Sequence, residues 1–226
     1  LDVIDQKTAK IPYERIVAEY RPVEPARFVI DTPDKENAML FARVDLPANL
    51  SDADMPALIT ADWIIGGSDG LSNRIVNRLR QKEGLSYGSG SNITLPSFGN
   101  RAKWSVGAIV APQNLAQAEK SLKDELARAY RDGITEAELA EAKRGIIGSR
   151  AVNRAQDGMV ASNWVNNLET GRTWQFSKKT EAAIEALTVE DVNKALRRFC
   201  DVSKLTFALA GDLAKAKAAG KDFTQP

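Results

Sequence analysis

Arg80 and Tyr87 stand seven residues apart across a glycine, in the stretch Leu79-Arg80-Gln81-Lys82-Glu83-Gly84-Leu85-Ser86-Tyr87. A guanidinium with a fixed fork of N–H donors and a phenol with one O–H are suited to gripping a peptide carbonyl. To act together they must project to the same side. Upstream, Leu71, Ile75, Val76 and Leu79 recur at helical spacing. They span roughly 140° of arc at about 100° per residue, which predicts one buried helix face, and Arg80 falls about 40° beyond its edge. Gly84 can adopt the left-handed conformation that closes a helix, so it is the structural support of the arrangement. The chain is expected to reverse there, with Tyr87 opening an extended run to Leu95 beside the helix end. The spacing alone also fits a plainer assignment: Arg80 as a helix C-terminal cation favoured by the macrodipole, and Tyr87 as an ordinary strand aromatic.

Composition narrows the chemistry available. The 226 residues include no histidine, so neither a Ser-His-Asp nor a Cys-His constellation is possible, and no His-ligated zinc or haem. Cys200 is the single cysteine, which excludes an internal disulfide. Following Phe199 at the end of a helical pattern, it reads as a buried small hydrophobe rather than a nucleophile. The net charge of +1 gives no global field to attract nucleic acid or an anionic membrane, and no basic stripe interleaved with aromatics occurs. No apolar run approaches 18 residues, and the start lacks a charged-then-apolar signal. Neither a nucleic-acid nor a membrane partner is expected. The chain begins at Leu1 rather than methionine, so an upstream region is expected.

Four of the nine prolines fall at Pro12, Pro22, Pro25 and Pro33, so residues 1–36 read as an extended interdomain linker with one short strand at Arg27 to Ile30. The alternation of Ala38 to Leu46, apolar on both faces, predicts an internal strand. Helices are predicted from about Ala53 to Ile65, ending at Gly66-Gly67, and from soon after Ser68-Asp69 through Arg80. Strands Tyr87 to Leu95 and Ala102 to Val110 flank hairpin-loop chemistry, Pro96-Ser97-Phe98-Gly99-Asn100. Pro112 opens a helix to about Arg131, Gly133 stops it, and the Thr135/Glu138 capping box starts another to about Arg154. Helices follow from Asp157 to Leu168, Lys178 to Ala186 and Val189 to Phe199, then a strand from Lys204 to Ala210. This order predicts an α+β sandwich, a mainly antiparallel sheet with helices layered on it. The domain spans 37–212, and 213–226 is a tail.

Other groupings have simpler explanations. Gly66-Gly67-Ser68-Asp69-Gly70 lacks a G-K-[ST] continuation and carries an acid, so it reads as a turn between packed helices rather than a phosphate loop. Glu136, Glu138 and Glu141 crowd a helix start, where the dipole favours acids on a solvated face. Trp164, Trp174 and Phe176 read as core rather than as a groove.

The segment Gly66-Gly67, Leu71-Ser72-Asn73-Arg74, Leu79-Arg80, Lys82-Glu83-Gly84-Leu85 and Tyr87 resembles the C-terminal half of the pitrilysin or insulinase family of zinc metallopeptidases. Gly133-Ile134-Thr135-Glu136-Ala137-Glu138-Leu139 with Ala142-Lys143, Leu187-Thr188-Val189-Glu190-Asp191-Val192, and Leu205 to Asp212 are similar to later phrases of the family, in the family's order. The resemblance covers roughly residues 37 to 212 and implies the pitrilysin-like fold. It implies that this chain is the substrate-binding half, with Arg80 and Tyr87 as the pair that holds substrate carbonyls. It also implies a peptide substrate and a partner: a zinc-bearing N-terminal half or separate subunit, whose metal-bound water attacks the scissile bond. No cofactor is expected on this chain, because the H-x-x-E-H arrangement needs histidines it lacks. Two alternatives remain open, a non-catalytic scaffold subunit of a processing-peptidase-like assembly and a stand-alone peptide-binding module. Of compartments, the bacterial periplasm is favoured over the cytoplasm.

The purified chain alone is expected to hold no stoichiometric zinc and to hydrolyse no peptide. Metal analysis after dialysis checks this; one equivalent of tightly held zinc, or chelator-sensitive hydrolysis, would contradict it.

Overall fold

The computed structural model describes residues 12–67 and 72–218. Its strands are β1 (Arg27–Asp31), β2 (Ala38–Pro47), β3 (Ser86–Thr94), β4 (Arg101–Val110) and β5 (Thr206–Gly211). They form one mixed sheet in the order β1-β5-β2-β4-β3. Only β1 and β5 run parallel; β5 with β2, β2 with β4 and β4 with β3 are antiparallel. The α+β arrangement predicted from the element order is the one observed.

Helix α1 (Met55–Asp62) widens into a π-helical turn, Trp63–Gly67, and the three-residue α2 (Arg74–Val76) widens likewise over Asn77–Lys82. Beyond the β3–β4 hairpin come α3 (Leu115–Asp132), α4 (Glu136–Arg154), α5 (Asp157–Thr170), α6 (Trp174–Ala186), α7 (Val189–Phe199) and α8 (Leu213–Ala218). Residues 12–25 carry neither helix nor strand.

The helices pack on one face of the sheet. Leu40, Ala42, Trp104, Val106 and Leu209 face them from the strands, all 1% exposed or less. Leu115, Ala118, Leu122, Leu126 and Ala129 recur every three or four residues along α3 and form its buried stripe. Burying a leucine of this kind stabilises by about 1.5–3 kcal/mol. Capping boxes at Thr135/Glu138 and Thr188/Asp191 fix the starts of α4 and α7, and Gly133, at φ 77°, stops α3.

Several expectations shift. The Arg80 helix starts at Asn73 rather than soon after Ser68-Asp69, because the Asn73 carboxamide accepts the Val76 N–H at 2.9 Å with its own backbone extended. Leu71 and the Ser68-Asp69-Gly70 part of the glycine-rich turn lie outside the described residues. Helix α6 begins at Trp174 rather than Lys178, since the Thr173 side chain caps it. Strand β5 begins at Thr206 rather than Lys204, because a 3-10 turn at Val202–Lys204 takes Lys204 and Leu205 follows as its C-cap. Trp164 is not core: it is 47% exposed, on a helix without one buried residue, and meets Trp174 edge-to-face at 5.8 Å. Glu138 is more than a solvated helix-start acid, for it also binds Arg74.

Two charged clasps tie elements distant in sequence. Arg27 on β1 grips Glu119 of α3 through both carboxylate oxygens at 3.0 and 2.8 Å, and Lys123 adds a third bond at 2.7 Å. Arg74 grips Glu138 of α4 at 2.6 and 2.7 Å and also donates to the Gly133 carbonyl. Burial acts to raise both carboxyls. The hydrogen bonds outweigh it and hold each below its ordinary value, from Arg27 and Lys123 on Glu119 and from Arg74 and Thr135 on Glu138. A carboxyl lowered in the fold contributes stability that is present above the unfolded glutamate value, about 4.3, and lost as pH falls through the folded value. Urea-denaturation midpoints should therefore fall on acidification below about pH 4.3, and Glu119→Gln should flatten that fall while lowering the midpoint at pH 7.

Candidate functional site

The stretch carrying Arg80 ends in a wide helical closure. The Glu83 N–H bonds the Arg78 carbonyl at 3.2 Å and the Leu85 N–H bonds the Leu79 carbonyl at 2.7 Å. The second bond spans one residue more than the Schellman ending of an ordinary α-helix, as the π-helical pitch requires. Gly84 makes the reversal at φ 62°. A Cβ there would meet nothing within 4 Å, so the demand on this position is dihedral rather than steric. Ile75 and Leu79 anchor the turn, both fully buried. Glu83 pairs with Arg78 and accepts the Ser121 hydroxyl of α3 at 2.6 Å, which ties the helix end to the helical layer.

Tyr87 is aimed by a β-bulge. Ser86 pairs with Val110 and Gly88 with Ile109, so Tyr87 is the extra residue on β3. The buried Ser86 hydroxyl lies 2.8 Å from the carbonyl oxygens of both Gly88 and Ile109, bracing the distortion. Tyr87 consequently stands 87% exposed, and the exposed Arg80 places its guanidinium carbon 5.2 Å from the Tyr87 ring centroid. A cation over an aromatic face at such an exposed place is worth about 0.5–1 kcal/mol, enough to bias the two side chains toward a shared orientation. The structure thus brings Arg80 and Tyr87 together, with Gly84 at the turn between them.

The hairpin that carries Tyr87 is also bonded to a buried carboxylate. Asp62 ends α1 and is 6% exposed; one of its oxygens accepts the Ser91 hydroxyl of β3 at 2.6 Å and the Trp104 indole N–H of β4 at 2.9 Å. Burial raises the Asp62 carboxyl above its ordinary value, against the opposing pull of Ser91, Trp104 and the Ile93 N–H. Its neighbour Cys200 is pushed strongly upward, first by burial and then by the Asp62 charge, so its thiol is inert. The chain packs closely here: a Cβ on Gly66 would come within 2.5 Å of the Ser91 backbone nitrogen, and one on Gly90 within 2.8 Å of the Gly66 carbonyl.

Asp62, Ser86 and Ser91 escaped the sequence reading. The bulge had a signal, since glycine at positions 88 and 90 of an extended run marks distortion or close backbone approach. The Asp62 bonds had none, because their partners lie 29 and 42 residues away. Among the described residues no group of three or more metal-ligating side chains converges. With no histidine in the sequence and Cys200 buried, this chain's residues do not fit a zinc centre.

Two substitutions test this geometry by their effect on stability. Gly84→Val is expected to cost about 1 kcal/mol from the left-handed dihedral alone. Asp62→Ala is expected to cost about 1–3 kcal/mol by stranding the buried Trp104 donor. Chemical denaturation measures both.

The family model described as the peptidase M16 inactive domain matches residues 2–146, more than half of the chain. No curated protein matches it. Among solved structures, the peptidase M16 inactive domain from Pseudomonas fluorescens is similar at a TM-score of 0.79 and 23% identity, covering 89% of this chain and 47% of its own. A protease from Helicobacter pylori is similar at 0.76 and 18%, covering 91% and 48%. The periplasmic protease PqqL from Escherichia coli is similar at 0.64 and 16%, covering 84% and 20%. The chain spans about half the length of the first two. At these identities the structures speak for the fold, and the family model carries the assignment: the chain belongs to the peptidase M16 inactive-domain family.

Proposed function

We propose that this chain is the substrate-binding half of a zinc metallopeptidase, completing a peptide-cleaving chamber with a zinc-bearing half that lies outside it. The observation that carries the reading is the bulge that turns Tyr87 outward beside Arg80, whose guanidinium carbon lies 5.2 Å from the Tyr87 ring centroid, so that two donors of different reach share one exposed surface. A tyrosine kept for packing would not stand 87% exposed on a purpose-built distortion.

The Tyr87 O–H donates one hydrogen bond, and the Arg80 guanidinium offers a rigid fork with a permanent charge. Aimed at the carbonyl oxygens of a bound peptide, they fix its register. Aimed at the oxygen that gains charge as the carbonyl is attacked, they stabilise it without reorganising at the moment of reaction. Bond cleavage belongs to the metal-bearing half. This chain's part is to bind, orient and supply donors, on a turn held by Leu79, Gly84 and the Glu83–Ser121 bond.

In the assembled peptidase, Tyr87→Phe and Arg80→Ala are each expected to lower turnover by about 10²- to 10³-fold, with fold and zinc content unchanged. Because both act on one group, the double variant should fall short of the product of the single effects. Wild-type turnover in both single variants, with the zinc half saturating, would leave the chain as a non-catalytic scaffold.

A further inference from the structure

A surface helix ordinarily buries its apolar stripe and turns its polar face to water. Helix α5 does the reverse. The residues it half-buries are Val160, Asn163, Asn167 and Thr170, three of them polar, and none of its residues is fully buried. Ala161, Trp164, Val165 and Leu168 are exposed instead. They recur at i, i+3, i+4 and i+7, the spacing of a packing stripe, and Trp164, Val165 and Leu168 are 47%, 64% and 77% open to solvent. Large apolar side chains grouped in this way mark a place where another surface packs.

The preceding helix carries a stripe of the same spacing. Leu139, Ala142 and Ile146 of α4 are buried, and on its opposite side Gly148, Ala151, Val152 and the C-cap Ala155 are exposed. This stripe is narrow where the other is broad. Gly148 lies in the helix interior, where glycine is costly, yet a Cβ there would meet nothing within 4 Å. No packing within the chain requires the bare backbone at that point.

The two stripes complement each other in size and in charge. The register that lays Ala151 on Trp164 and Ala155 on Leu168 also lays Arg144 on Asp157, each an exposed charge one turn ahead of its stripe. Within one chain these two charges cannot meet, because they are separated by about 20 Å along the axis of α4 at 1.5 Å per residue. Between two copies they can. A two-fold axis along the bisector of the two helix directions exchanges α4 with α5, and sets each α4 beside the α5 of the other copy; such self-complementary contacts are what two-fold dimers use. We infer that the outward side of the α4–α5 corner is an interface between two copies of this chain. The narrow stripe of each copy receives the broad stripe of the other, with Arg144 and Asp157 paired across the axis. This interface is independent of the two-part peptidase reading.

Sedimentation velocity of the chain over a wide range of concentration tests the interface, with circular dichroism to check that each variant keeps its helices. The expected result is a reversible monomer–dimer equilibrium. Leu168→Asp should weaken dimerisation by about tenfold or more, since it would bury a carboxylate without a partner. Val165→Asp, also at an exposed position, repeats the test if Leu168→Asp does not fold. Arg144→Asp and Asp157→Arg should each weaken dimerisation alone, because like charges then face each other twice. An equal mixture of these two single variants should dimerise again, because every facing pair in the mixed dimer is of opposite charge. A chain that stays monomeric at all concentrations would overturn the inference and leave the peptidase reading untouched. A dimer indifferent to both aspartate substitutions would overturn it by placing the contact elsewhere, and a mixture that dimerises no better than its components would overturn the pairing of α4 with α5.

Discussion

Asp62 holds the edge of this sheet in place. Its carboxylate, with 6% exposure, accepts Ser91 from β3 and Trp104 from β4, so the end of α1 is bonded to both strands of the hairpin at once. Removing water from such a group makes each donor more valuable and the loss of either more costly. The contact has a steric counterpart, for Gly66 and Gly90 let the π-turn and the strand approach closer than side chains would permit. Strand β3 has a neighbour on one side only. As an edge strand it depends on such anchorage, and it is the strand that bears Tyr87.

From that anchorage the functional geometry follows in short steps. The pinned strand leaves one residue too many opposite β4, Ser86 braces the excess, and Tyr87 is turned outward. On the other side of the reversal the π-helical pitch lets Leu79 stay buried while Arg80 points to solvent, and Gly84 takes a dihedral that a side chain would oppose. Bulges and π-helical turns are each less stable than the regular structures they interrupt, and both tend to mark places where a side chain has to be aimed. Here one of each flanks the same glycine.

The two faces of the sheet obey different constraints. The inner face is closed by α1, α3 and α7 with large side chains that interdigitate. The outer face is apolar where alanine and glycine alternate with a few large residues, and polar beyond. Gly88, the residue after the bulged Tyr87, lies on this outer side in register with Ile109 and Met39.

The sequence by itself determined the elements and their order, because hydrophobic period, capping boxes and helix-stopping glycines act over a few residues. The α3 stripe, the Thr135/Glu138 and Thr188/Asp191 boxes, the glycine at position 84 and the pairing of Arg80 with Tyr87 across it were all legible at that range. So was the lack of histidine, which excludes a His-ligated metal site built from these residues alone. Only the tertiary structure decided what depends on residues distant along the chain: the clasps of Arg27 on Glu119 and Arg74 on Glu138, the Asp62 bonds, the parallel pairing of β1 with β5, and the exposure of Trp164 on a helix that the core does not reach. The bulge lies between these cases. Its glycines hinted at a distortion, but which residue became the extra one was fixed by the register of β3 on β4, and register is a property of the whole sheet rather than of either strand alone.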